Sequence, residues 1–196
     1  KTSRWNKSKK SFCMNKLMLL ALLIFLSACK TTKNTKPFLP VFPDDWLGGW
    51  EGELDIYNAT GKVMTVPMQC WHQKRPDGAY DWHLVYGSGD KQDVRAYELK
   101  KFNTAKGHYQ IDEKNGILID AFVLHDRLVS TFGVMENVIQ TNYIIEKGQM
   151  TFEVYMHHQK EISTTGDTII QGDTIPLVNS FHNQVYQRAV LKRIKK

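Results

Sequence analysis

Arg95 and Tyr97 stand two residues apart in an alternating segment, which places both side chains on one face of an extended strand. A guanidinium beside a phenol suits a carboxylate or phosphate head, held by charge-assisted hydrogen bonds. Tyr109, next to Ile111, and Tyr143, between Thr141 and Ile145, add hydroxyls in apolar company, while Met64, Met68 and Phe132 suit an apolar tail. These seven residues form a candidate binding set for a small amphipathic or hydrophobic molecule, provided one interior gathers them. An acid and a base meeting in that interior would instead make an isomerase or hydrolase built on the Arg95–Tyr97 pair.

Other chemistry is sparse. The chain has seven histidines but no His-x-His, His-Glu-x-x-His or Cys-x-x-Cys spacing. His157 and His158 are adjacent, so on a strand they point to opposite faces, and no metal site is expected. His182, just ahead of the last strand, offers haem ligation as the one alternative; a solvated histidine is the preferred reading, and no cofactor is expected. Cys70 falls in the alternating set Met64, Val66, Met68, Cys70, where a thiol acts as a small buried hydrophobe. There is no Gly-x-Ser-x-Gly elbow and no phosphate-binding loop.

The elements that must position these residues have a period of two. Tyr80, Trp82, Leu84 and Tyr86 alternate with Asp81, His83 and Val85. Leu128, Ser130, Phe132 and Val134 alternate with Val129, Thr131 and Gly133, and Met150, Phe152, Val154 and Met156 follow the same rule. The pattern predicts ten strands, near 49–57, 63–73, 79–86, 92–102, 108–112, 117–124, 128–136, 138–146, 149–158 and 184–193. Turn residues separate them, with Asn115-Gly116 suited to a type I′ hairpin. Residues 161–183, where Thr165-Gly166-Asp167-Thr168 is echoed by Gly172-Asp173-Thr174, read as a long loop with at most one short strand. Sequential antiparallel strands lose their exposed edges by closing, so the expected fold is all-β, a single antiparallel up-and-down barrel of about eight to ten strands. A lumen of that size admits one small ligand.

The chain has 196 residues and a formal net charge of +6. That length fits one domain with appendages. Residues 1–28 carry six cations and no acid, which leaves the remainder balanced at 20 Lys+Arg against 20 Asp+Glu. A neutral body gives no electrostatic reason to bind nucleic acid.

The front of the chain has a different composition. Lys16 precedes the apolar run Leu17 to Leu26, which is too short for a bilayer span and of the right size for a signal-peptide core. Leu26-Ser27-Ala28-Cys29 resembles the lipobox of bacterial lipoproteins. That resemblance implies cleavage before Cys29, acylation of its sulfur and new amine, and membrane anchoring. Lys30 and Thr31 follow the cysteine with no aspartate, which points to the outer membrane, periplasmic face, of a bacterial cell envelope. The expected organisation is a leader over 1–28, with translation from Met14 and residues 1–13 an upstream extension, or with 1–13 as an extended basic n-region. A lipidated cysteine and proline-bearing tether follow over 29–45, then the barrel over 46–196.

Leu47-Gly48-Gly49-Trp50-Glu51-Gly52, opening the first strand, resembles the Gly-x-Trp entry of the calycins, the lipocalin and fatty-acid-binding-protein superfamily. The resemblance spans roughly 46–193. It implies that Trp50 plugs the closed end and that a basic residue of the last strand packs over it: Arg188, with Arg193 as the second choice. The expected function is that of a membrane-anchored, lipocalin-like carrier or sensor of a small amphipathic molecule. The alternatives are the enzyme named above and an interaction module whose barrel is filled solid.

Overall fold

The computed structural model describes residues 40–195. Ten strands close into a barrel: β1 (Gly48–Asn58), β2 (Gly61–Lys74), β3 (Tyr80–Tyr86), β4 (Asp93–Asn103), β5 (His108–Asp112), β6 (Leu118–Leu124), β7 (Arg127–Val134), β8 (Asn137–Glu146), β9 (Gln149–Thr165) and, after a separate hairpin of β10 (Thr168–Ile170) and β11 (Asp173–Ile175), β12 (Val178–Arg193). Neighbours pair antiparallel in chain order, and β12 closes the sheet between β9 and β1. Full closure leaves the barrel wall without an unpaired edge.

Alternation decides the inside. Trp50, Leu54, Met68, Cys70, Tyr80, Trp82, Leu84, Leu99, Ile111, Ala121, Leu128, Phe152 and Leu191 are all buried and belong to one core. The outer face is tied by ion pairs, among them Lys100 Nζ to Asp112 Oδ2 at 2.6 Å and Glu98 held between Arg75 and Lys114. Gly52 sits where β1 and β12 come close, and a Cβ there would stand 2.7 Å from the Val190 carbonyl oxygen. The strand crossing therefore requires a residue without a side chain.

Three expectations are corrected. Residues 161–183 do not form a loop: β9 runs on to Thr165 and pairs with β12 from Val178, so a two-stranded ribbon projects past the barrel and carries the β10–β11 hairpin at its tip. The segment is rich in Thr, Ser and Ile, residues that favour strands, yet it buries neither face and so lacks the apolar alternation that marks a half-buried strand. The Asn115-Gly116 turn is not the two-residue type I′ form, because five residues join β5 to β6. Asp112 Oδ1 accepts the Lys114 N–H at 2.7 Å and Asn115 Oδ1 accepts the Ile117 N–H at 3.0 Å, and these side-chain bonds organise a wider turn with positive φ at Lys114 and Gly116.

Organised structure also begins ahead of Trp46. The strap over 40–47 crosses the closed end with Phe42 edge-on to Trp46 and to Tyr109, each at 4.9 Å between ring centres. Phe42 and the buried Pro43 therefore belong to a packed plug, not to the spacer. Cys29, the leader and the tether as far as residue 39 lie outside the described residues.

Candidate functional site

The barrel has one sealed end and one open end. At the sealed end Trp50 is buried, its indole N–H donating to the Trp46 carbonyl at 3.0 Å. The cation above it is Arg193, not Arg188: the Arg193 guanidinium carbon lies 4.2 Å from the centre of the Trp50 ring. Two of its nitrogens donate to the Leu47 and Asp45 carbonyls at 2.7 and 2.6 Å, clamping the strap. The correction follows from parity. Ala189, Leu191 and Arg193 share the inward face of β12, whereas Arg188 points outward, opposite Asp55 on β1 and 3.5 Å from Glu153. A shift of one residue along a strand reverses the face, and the apolar pair Ala189 and Leu191 was the signal that fixes it.

Beneath the lumen lies an aromatic floor. The His72 ring stacks flat on Trp82 at 3.5 Å, and Trp82 meets Tyr143 edge-on at 5.7 Å. His72 Nδ1 sits 3.3 Å from the Trp46 carbonyl, and a proton there makes it the donor, leaving Nε2 without a hydrogen-bond partner among the described residues. Enclosure of the imidazole pushes its pKa down to about 3, so the ring stays neutral at physiological pH. Burial likewise pushes the Cys70 thiol up, which removes it as a nucleophile and leaves it a core residue.

Above that floor a cavity of about 680 Å³ opens towards the ends of β3, β4 and β7. Its wall is mostly aliphatic and aromatic, with Leu84, Ile111, Ile119, Phe132, Phe152 and Val154 among the lining residues. Of the seven candidate residues, Arg95, Tyr97, Phe132 and Tyr143 line it. The other three do not. Met68 is fully buried in the core, and Tyr109 is packed under Phe42 at the closed end. Met64 has the inward parity of β2 but lies beyond the neighbouring strand, which begins its pairing at Met68, and so remains 55% exposed. Parity alone gives the face, not the height along the barrel.

Arg95 is held by Asp93, which accepts from Nε and Nη2 at 2.9 and 2.7 Å, while Nη1 reaches the Tyr97 hydroxyl at 3.5 Å. The Asp93 carboxylate raises the Arg95 pKa further, and desolvation raises that of Tyr97, so neither group is suited to accept a proton near neutral pH. Glu113 and Gln187 also line this region. Ser130 is a lining residue outside the candidate set: it lies in the wall between Leu128 and Phe132, is 2% exposed, and its hydroxyl has no hydrogen-bond partner among the described residues. A serine at an inward position of an apolar alternating strand was the visible signal.

His182 lies away from the lumen, in a surface cleft with Met135, Glu136 and His158, its ring 6.3 Å from that of His158. Among the described residues no three His, Cys, Asp or Glu side chains stand together as a metal site.

Fold and site define a class: a closed ten-strand up-and-down barrel, plugged at one end and hollow at the other. No family model matches the sequence, and no curated protein does. Among solved structures the chain is similar to a protein of unknown function from the DUF3598 family of Nostoc punctiforme PCC 73102, with a TM-score of 0.56 at 7% identity over 81% of this chain and 51% of that one. At that identity the likeness shows the fold alone. The chain spans about half the length of this neighbour.

Proposed function

We propose that this protein is a calycin-like binding barrel that holds a small amphipathic molecule in its lumen, and that Cys29 anchors it by lipidation to a bacterial envelope membrane. The observation that carries the reading is the hollow upper half: about 680 Å³ of mainly apolar cavity, within the size range of small-molecule sites, with polar groups confined to a few positions. The apolar part of the ligand lies against Phe132, Ile119 and Val154, and its polar part meets the few polar side chains of the lining. A cavity of this size counts against a solid interaction module. The raised pKa values of Arg95 and Tyr97 count against their service as an acid–base pair. The anchor is supported by the sequence Leu26-Ser27-Ala28-Cys29 and its apolar run.

Native mass spectrometry of the full chain released from nanodiscs is expected to show a co-purifying small molecule. Phe132→Arg, which places a charge and extra volume in the lumen, is expected to abolish it. Repeated absence from the unaltered chain removes the carrier reading. Cys29→Ser is expected to move the protein out of the membrane fraction and to eliminate incorporation of a labelled fatty acid; unchanged labelling and fractionation would overturn the anchor.

A further inference from the structure

The formal charges around the mouth work against the acidic ligand that an arginine first suggests. Arg95 already gives two of its nitrogens to Asp93, and Glu113 lines the same cavity, so one cation faces two acids. An anionic head group would have to displace Asp93 and lie near Glu113, with like-charge repulsion from both. Deeper in, the unpartnered Ser130 hydroxyl lies along β7 about 13 Å from Val134 at the rim, four residues at roughly 3.3 Å each. Thr141 is its direct partner across the β7–β8 pair and lines the same cavity. A buried hydroxyl left without a partner is costly, and a ligand that supplies one recovers that cost on binding.

We infer that the lumen selects an uncharged amphiphile, a long-chain molecule bearing hydroxyl or ester oxygens, over the fatty-acid anion of the same chain length, and that Ser130 is the residue that hydrogen-bonds it inside the barrel. This inference rests on the reading of the cavity as a ligand site and narrows the ligand's chemistry. A neutral oxygen can accept from Ser130 or donate to it without disturbing the Arg95–Asp93 pair at the mouth.

The test uses the full chain in nanodiscs with two probes of equal chain length, 1-monolauroylglycerol and laurate, and reads the bound fraction by native mass spectrometry. Phe132→Arg separates lumen binding from molecules carried over on the surface. The uncharged probe is expected to occupy the lumen at least tenfold more tightly than laurate. Ser130→Ala is expected to lower its affinity about tenfold and to leave laurate unchanged, with the thermal unfolding midpoint unchanged or raised. Equal or tighter binding of laurate overturns the inference while the carrier reading stands, and so does an unchanged affinity of the glyceride for Ser130→Ala. Lumen binding of neither probe, in a protein that also lacks a co-purified molecule, removes both.

Discussion

Trp50→Ala is expected to cost about 3–5 kcal/mol of folding free energy, the range for removing a large aromatic ring from a close-packed interior. The ring is 1% exposed, and its indole N–H donates to the Trp46 carbonyl. Its loss opens a void under the strap and leaves that carbonyl with His72 as its remaining side-chain donor. Against a total stability of about 5–15 kcal/mol for a protein domain, this is a large fraction. The measurement is urea unfolding followed by far-ultraviolet circular dichroism, with Arg193→Ala and Arg188→Ala alongside. Arg193→Ala loses the cation over Trp50 and two bonds to the strap, and is expected to cost about 1–2 kcal/mol. Arg188→Ala, an outward residue, is expected to change stability by less than about 0.5 kcal/mol. Equal effects of the two arginines would show that Arg193 does not clamp the closed end.

Acid is expected to destabilise the barrel well above the pH at which carboxylates titrate. His72 in the folded protein has its pKa pushed down to about 3, whereas in the unfolded chain an exposed histidine takes a proton near 6.5. Below about pH 6.5 the unfolded chain binds a proton that the native state refuses, so stability falls as pH falls, at about 1.4 kcal/mol per unit. The stability associated with the neutral imidazole is fully present above pH 6.5, about 2.5–3 kcal/mol of it is gone by pH 4.5, and the loss levels off near pH 3. The carboxylates of Asp93, Asp112 and Asp120, all held below their ordinary pKa by hydrogen bonds from Arg95, Lys100 and His108 respectively, add their losses at lower pH. His72→Phe keeps the stack on Trp82 and removes the titrating ring. Urea midpoints measured between pH 7 and 4.5 are expected to fall steeply for the unaltered protein and to be nearly flat for this variant. Parallel curves would overturn the assignment.

The barrel was legible because a closed sheet is wet on one side and dry on the other. That asymmetry writes a period of two into β1 to β9 and the lower half of β12, and glycine, asparagine or aspartate marks the connections within the wall except Met135-Glu136 between β7 and β8. The ribbon beyond His158 was not legible, since neither of its faces is buried and no alternation is required. The site divided in the same way. Arg95, Tyr97, Phe132 and Tyr143 line the cavity because alternation puts them inside. Met64 and Tyr109 share that parity but fall at the wrong heights, above the cavity wall and below its floor. Height depends on how far each strand is staggered against its neighbours, and only the hydrogen-bonded register fixes the stagger.

By itself the sequence determined that this is an all-β barrel with a tryptophan at its entry strand, because burial of one strand face is a local, repeating constraint that each residue carries. The tertiary structure decided that Arg193 covers Trp50, that the strap plugs the base, and that Ser130 stands buried without a partner in the cavity wall. These depend on which residues far apart in the chain meet across the barrel, and that is set by the register of ten strands closing on one another.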